Sequence, residues 1–126
     1  MEYKDDRLHF YWQEGILMCE WLVESADIEY VDFGIKKRLE ITGDDPCVMI
    51  SDISRLKSVS REGRQRMSQK DAAHCVIAVG IIVRSKVQVV IYNFFNTIYK
   101  QPSPTKIFSN KEDAIKWIKQ YIPKKK

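Results

Sequence analysis

The stretch SDISRLKSVSREGRQRM at residues 51–67 concentrates side chains whose types and spacing suit chemistry. It begins near an acid, Asp52, at the predicted C-terminal end of an apolar strand, where α/β proteins place active groups. A turn rich in serine and arginine then leads into a predicted helix. The hydroxyl of Ser58 or Ser60 can cap the first turn of that helix, a contribution of about 1 kcal/mol. Capping is therefore the first interpretation of these serines.

A second interpretation of the same stretch is a contact with an anion. The start of a helix offers unpaired N–H groups and a partial positive charge, and arginine side chains match the geometry of phosphate and carboxylate groups. We therefore hypothesise a surface for a protein partner or an anion. It comprises Asp52, Ser54, Arg55, Ser58, Ser60, Arg61, Gly63 and Arg64, with Lys57 adding charge.

Sequence patterns typical of catalysis do not occur in this chain. His9 and His74 lie at predicted strand starts, with no nucleophile elbow, Gly-rich phosphate loop, HExxH or CxxC motif. A lone acid such as Asp52 is more often a turn or cap residue, and acid–base catalysis needs a pair of carboxylates with separated pKa values. The sequence therefore predicts a protein that is not an enzyme and binds no cofactor.

Three cysteines, Cys19, Cys47 and Cys75, lie far apart among apolar neighbours. A disulfide framework or a zinc site requires closer or paired spacing. We therefore predict that the cysteines act as small core residues, and their equal spacing of 28 residues suggests that they fall on neighbouring strands.

A cluster of aromatic residues crowds the predicted helix at 87–99. A helix covers its own core with one stripe of side chains, so some of these rings should lie outside that stripe. They pack beneath the N-terminal hairpin, form a surface that joins two copies into a homodimer, or line a pocket for an apolar ligand. The residues concerned are Tyr92, Phe94, Phe95 and Tyr99.

Length and composition predict one globular domain. The 126 residues, 44% hydrophobic and 30% charged, suit a domain of residues 1–122 followed by a basic frayed tail at 123–126. The longest apolar run, at 75–83, is shorter than the ~20 residues of a membrane span, and the acidic start does not resemble a signal peptide. We expect a cytoplasmic protein that does not bind membranes.

Charge is divided unevenly along the chain. Residues 1–46 carry 12 acidic and 5 basic residues, whereas residues 47–126 carry 5 acidic and 16 basic ones. The first interpretation of this asymmetry is an ordinary solvated surface, and the alternatives are steering of acidic partners or self-association. A basic half with interspersed aromatic residues also permits nucleic-acid binding, but no recognised module signature is present, so we do not favour it.

The hydrophobic pattern predicts alternating strands and helices. A hairpin of 7–12 and 16–23 turns at Gly15, and a helix capped by Ser25 and ended by Gly43 has Ile28, Val31, Ile35 and Leu39 on one face. The later strands are 47–53, 74–83 and 105–110, and the later helices are 60–73, 87–99 and one capped by Asn110 with Ile115, Ile118 and Ile122 on one face. This order predicts an α/β fold with a mixed, mostly parallel sheet of about five strands and about four helices.

The topology and the segment DISRLKSVSREG at 52–63 resemble the STAS domains, the fold of bacterial anti-sigma-factor antagonists and of sulfate-transporter tails. Asp52, Ile53 and Ser54 match the family pattern D-L-S-G-V-x-x-I-D-S-S-G, Leu56 and Val59 keep apolar positions, and Gly63 matches the glycine. Arg61 and Glu62 occupy the two serine positions, and Ser60 lies one residue away. The phosphorylatable serine is therefore absent from this alignment.

The second half, AVGIIVRSKVQVVIYNFFN followed by PSPTKIFSNKEDAIKWI, is similar to small uncharacterised bacterial proteins with this fold. The resemblance implies a non-catalytic regulatory domain of bacterial signalling that contacts a protein partner through residues 54–67, with 87–99 as a second patch. The alternative function is binding or sensing of a small apolar or anionic ligand.

Overall fold

A computed structural model describes residues 2–86, 88–90 and 104–123 of the chain. The strands are β1 (Tyr3–Lys4), β2 (Leu8–Gln13), β3 (Ile16–Trp21), β4 (Ser25–Ala26), β5 (Cys47–Asp52), β6 (Ser58–Val59), β7 (Val76–Ile82) and β8 (Thr105–Phe108). The α-helices are α1 (Ile28–Thr42), α2 (Arg61–Met67) and α3 (Lys111–Ile118), and turns of 3-10 helix lie at Lys70–Ala73 and Lys119–Tyr121. Residues 86 and 88–90 are also helical.

Six of these strands form one sheet in the order β1-β2-β3-β5-β7-β8. The first three pair antiparallel, and β3, β5, β7 and β8 pair parallel. The predicted mixed, mostly parallel sheet is thus confirmed. It has one strand more than the five expected because Tyr3–Lys4 extends the hairpin, and β4 and β6 form a separate parallel ladder.

The N-terminal hairpin forms as predicted because its turn has the required backbone. Glu14 and Gly15, which join β2 to β3, have φ of 53° and 81°. Positive φ at both central residues is the pattern of a type I′ turn, whose twist matches that of the flanking strands. The register then follows from the turn, with Gln13 opposite Ile16.

Helix α1 begins two residues later than a Ser25 cap implied. Asp27 is its N-cap, with the carboxylate accepting a hydrogen bond from the Tyr30 N–H at 2.8 Å. Ser25 lies instead in β4, where it pairs with Ser58, so the prediction of a Ser25 cap is wrong. At the other end the prediction is confirmed, because Gly43 at φ 55° donates its N–H to the Leu39 carbonyl.

Helix α2 is shorter than the predicted 60–73. Ser60 caps it, as predicted, by accepting the Gly63 N–H at 3.0 Å. The helix ends at Met67 because the Ser68 hydroxyl bonds the Gln65 carbonyl at 2.7 Å, a local contact that competes with helix propagation. Of the helix predicted at 87–99, residues 88–90 are helical and 91–99 lie outside the described residues.

The last helix, α3, starts at the predicted cap. The Asn110 side chain accepts the Asp113 N–H at 2.9 Å. Ile115 and Ile118 are buried on the predicted face, while Ile122 lies beyond the helix and is half-buried.

The two faces of the sheet carry separate hydrophobic cores. Leu8, Leu17 and Leu56 belong to the core that packs against α1 and α2, here called the α1 face. Ile16, Ile50 and Ile118 belong to the core against α3, here called the α3 face. Because the residues of a strand alternate between the two faces, β3 and β5 supply both cores.

Candidate functional site

Asp52 at the end of β5 has a structural partner. Its carboxylate accepts the N–H of Ser54 at 2.9 Å, which turns the chain away from the sheet. Ile53, Leu56 and Val59 are then buried in the α1-face core. These three anchors leave the intervening Arg55 and Lys57 exposed to solvent.

The backbone of this loop is held by a residue that sequence analysis did not select. The Gln88 side chain is only 4% exposed, and its amide donates to the carbonyls of Ser54 at 2.6 Å and Leu56 at 3.0 Å. Its amide oxygen accepts the N–H groups of Arg84 and Ser85. Gln88 therefore ties the 54–56 loop to the segment that leaves β7. The only sequence signal was a single polar residue within the apolar run VQVVIY.

Several hydroxyl and arginine groups of the proposed surface have partners within the fold. Ser60 caps α2, Ser58 bonds Ser25 at 3.1 Å, and Arg64 donates to the Val59 carbonyl at 2.9 Å. Gly63 is buried, and a Cβ atom there would lie 3.3 Å from Val31. The structure confirms the capping interpretation for Ser60, whereas Ser58 lies in β6 and does not cap α2.

Other basic side chains of the same region extend into solvent. Arg55, Lys57 and Arg61 are exposed, and Lys57 forms a solvent-exposed ion pair with Glu24 at 3.3 Å. Arg84 and Lys86, which follow β7, are exposed as well. The Gln88 bridge joins their segment to the 54–56 loop, so we define these five cations as the basic rim.

A charged network that the sequence did not reveal fixes the far end of α2. Arg66, 9% exposed, donates to both carboxylate oxygens of Asp71 at 2.7 and 2.9 Å and to Asp32 at 2.9 Å. Hydrogen bonds to Asp71 first, and to Asp32, raise the pKa of Arg66, so it remains charged. The network joins α1, α2 and the Lys70–Ala73 turn.

A cavity of about 190 Å³ lies between the sheet and the helices α1 and α2. Its walls are mainly apolar and include Phe10, Val31, Met49 and Met67. Polar groups enter the lining at few positions, among them Arg38. The structure buries Arg38 to 2% exposure.

Two of the three cysteines lie on neighbouring strands, as predicted, and the third lies just outside the next strand. Cys19 in β3 and Cys47 in β5 are buried, and Cys75 immediately precedes β7. Burial raises the pKa of Cys19 to about 12 and also raises the pKa of Cys47, so both thiols are neutral near pH 7. Cys75 differs from the core role predicted for it because it is partly exposed, at φ 60°.

The described part of the chain contains no cluster of three His, Cys, Asp or Glu side chains arranged to hold a metal. Within the same ranges, every helix is too short or too polar to cross a bilayer. The aromatic patch of Tyr92, Phe94, Phe95 and Tyr99 lies outside the described residues, so its role as a self-association surface stays a prediction.

Comparison with a solved structure identifies the fold. An uncharacterised protein of the DUF3478 family from Shewanella loihica PV-4, described as having a SpoIIAA-like fold, superposes with a TM-score of 0.65. The two chains are 19% identical over 87% of this chain and 90% of that one. This likeness confirms the predicted STAS-like fold.

Two sequence comparisons complete the assignment. No curated protein matches the chain. A family model described as a domain of unknown function, DUF7793, matches residues 10–122. The chain therefore belongs to the DUF7793 family and has a SpoIIAA-like fold.

Proposed function

We propose that this protein is a non-catalytic regulatory domain of bacterial signalling, and that it contacts an acidic surface of a protein partner through residues 54–67. The observation that carries the proposal is the basic rim of five exposed cations, of which Arg55, Arg84 and Lys86 lie on the two segments whose backbones Gln88 ties together. The STAS-like fold supports a regulatory role by analogy.

The fixed loop backbone favours binding energetically. Association loses the freedom of any segment that becomes ordered, so a loop that is already held by buried anchors and hydrogen bonds avoids part of this cost. The exposed cations remain available for long-range attraction, which raises association rates and selects partners of opposite charge. The Ser60 cap then serves to position the surface, and a phosphorylated serine is not required.

A charge-reversal experiment tests the proposed surface. The triple variant Arg55→Glu, Lys57→Glu, Arg61→Glu would be compared with wild type by quantitative affinity capture from the native cytoplasm. We expect the main partner of the wild type to be lost, and titration of that purified partner to show at least tenfold weaker binding.

A matched control reverses three exposed lysines elsewhere, with Lys4→Glu, Lys106→Glu and Lys116→Glu. This variant has the same change in net charge and should retain the partner. Equal loss of binding in both variants would indicate a response to overall charge and would reject a contact at residues 54–67.

The cavity favours a second candidate function, the binding of a small ligand. Its mainly apolar walls and its volume of about 190 Å³ suit a small apolar molecule. Native mass spectrometry of protein purified from its own cells would show the retained mass. The same spectra, with sedimentation at micromolar concentration, test the homodimer expected from the 87–99 patch, and a clean monomer would reject it.

A further inference from the structure

Arg38 is buried, and in the part of the fold that the structure describes its hydrogen bonds go to neutral oxygen atoms. Its guanidinium donates to the Thr42 hydroxyl at 3.1 Å and to the backbone carbonyls of Asp71 at 3.2 Å and Ala72 at 3.5 Å. No salt bridge of Arg38 with a carboxylate occurs among the described residues. The Asp71 carboxylate attracts the Arg38 charge without a direct bond, because both of its oxygens accept hydrogen bonds from Arg66.

A buried guanidinium in this state is unusual. Charged groups that leave water are normally paired with an opposite charge, because neutral dipoles replace only part of their hydration. Burial lowers the pKa of Arg38 from its ordinary value. The neighbouring Cys47 does not supply the missing charge, since burial raises the pKa of its thiol.

Arg38 borders the cavity near Ala72, whose carbonyl it contacts, and Ala72, Ala73 and Val76 also line the cavity. The remaining walls run from Phe10 across the sheet and are mainly apolar. A cavity of about 150 Å³ with apolar walls is enough to hold benzene. The space therefore fits one ring or a short alkyl chain next to a single buried cation.

We infer that the cavity binds a small apolar molecule bearing one carboxylate, with the carboxylate paired to Arg38 and the apolar part against Met49 and Met67. The inference rests on the second candidate function and specifies its ligand class. Short-chain aliphatic acids and small aromatic acids both combine one carboxylate with an apolar part. The two classes differ in the shape of that apolar part.

Calorimetric titration of the full chain with three probes tests the charge pairing. Octanoate and phenylacetate represent the aliphatic and aromatic acids, and octan-1-ol is the uncharged match to octanoate. We expect one of the two acids to bind. If octanoate is the acid that binds, octan-1-ol should bind at least tenfold more weakly than octanoate. For the aromatic acid, 2-phenylethanol is the corresponding uncharged probe.

Methionine methyl NMR locates the bound probe. The Met49 and Met67 side chains line the cavity, whereas Met18 belongs to the core on the opposite face of the sheet. Addition of the bound acid should shift the Met49 and Met67 signals and leave Met18 nearly unchanged. Equal shifts at all three would place the acid elsewhere and overturn the inference.

Two variants test separately the charge of Arg38 and the volume of the cavity. Arg38→Met keeps an unbranched apolar stem but removes the cation, and we expect it to lose the preference for the acid over the alcohol. Gly34→Leu keeps Arg38 and places a side chain at a position that lines the cavity, so the acid and the alcohol should both bind at least tenfold more weakly. Circular dichroism and thermal unfolding establish that each variant folds.

The outcomes distinguish the inference from the function on which it rests. If the alcohols bind wild type as tightly as the acids, the role of Arg38 is wrong while the cavity remains a ligand site. If no probe binds wild type, both are rejected. These wild-type results decide the matter even if Arg38→Met does not fold.

Discussion

At the scale of single residues, polar side chains far apart in sequence hold the candidate surface in place. Gln88 reaches 34 residues back to the Ser54 carbonyl and 32 back to the Leu56 carbonyl. Arg66 spans 34 residues to Asp32. Because Gln88 is nearly buried, loss of its amide leaves the Leu56 carbonyl without a partner, whereas Asp32 and Asp71 remain accessible to water if Arg66 is lost.

The Gln88 contacts predict a cost for an apolar replacement. Gln88→Leu keeps a similar volume but leaves the carbonyls of Ser54 and Leu56 without their donor, so the free energy of unfolding should fall by about 1–3 kcal/mol. Urea denaturation followed by circular dichroism measures the change. The control Gln65→Leu alters an exposed glutamine and should stay within about 0.5 kcal/mol of wild type. Equal stability of the two variants would contradict the role of Gln88.

The Arg66 network predicts a pH dependence of stability. Arg66 lowers the pKa of Asp71, and Lys36 together with Arg66 lowers the pKa of Asp32. A carboxyl group whose pKa is lower in the folded state stabilises the fold above its unfolded pKa of about 3.9 and loses this contribution as the pH falls through the folded pKa.

We therefore expect the urea midpoint of wild type to fall more steeply below pH 5 than that of Arg66→Met. Arg55→Met, which removes an exposed cation of the basic rim, should follow the wild-type profile. Parallel profiles for wild type and Arg66→Met would show that these ion pairs do not contribute to acid sensitivity.

At the scale of elements, close packing between helices limits which glycines tolerate a side chain. At Gly34 in α1 the nearest atom to a new Cβ would be the Leu8 Cδ2 at 3.8 Å, an ordinary contact. At Gly63 in α2 the new Cβ would meet Ser60 Oγ at 3.1 Å and the methyl groups of Val31 and Val59 at 3.3 Å. Helix α2 therefore sits against α1 at the distance that a glycine permits.

The two glycines predict opposite effects of the same substitution. Gly34→Ala should stabilise the protein by about 0.5–1 kcal/mol, because alanine loses less backbone entropy in a helix. Gly63→Ala should destabilise it, since it crowds the cap of α2 and the contact with α1. Thermal unfolding of both variants tests the contrast, and stabilisation by both would mean that the α1–α2 contact adapts easily.

At the scale of the molecule, one sheet carries a core on each face, and the two cores share their strands. Trp21 packs with the α1-face core and Trp117 with the α3-face core. Shared strands connect the two cores, and domains below about 150 residues usually unfold in one transition. The domain should therefore unfold as a unit.

This connection predicts a cooperative response to core mutations. Leu8→Ala on the α1 face and Ile118→Ala on the α3 face remove side chains that are 1% and 0% exposed, and each should destabilise the whole fold by about 2–5 kcal/mol. Variants in which Trp21 or Trp117 is the single tryptophan report on one core each, and their fluorescence should give coincident urea transitions. Separate transitions would show that the two faces unfold independently.

Local patterns predicted most of the elements because local energetics decide them. The type I′ turn at Gly15, the Asn110 cap and the apolar runs of β5 and β7 each depend on residues adjacent in sequence. The start of α1 was misplaced because Ser25 and Asp27 are both good caps, and the pairing of Ser25 with Ser58 decided between them.

The sequence by itself determined the order of strands and helices, the mostly parallel sheet and the resemblance to STAS domains, since periodicity and turn chemistry act over a few residues. Only the tertiary structure decided that Gln88 holds the 54–56 loop, that Arg66 joins α1 to α2, and that Arg38 is buried beside a cavity. Each of these facts depends on which distant residues meet. The sequence around a polar residue does not indicate whether that residue will bond water or a group that is distant in the chain.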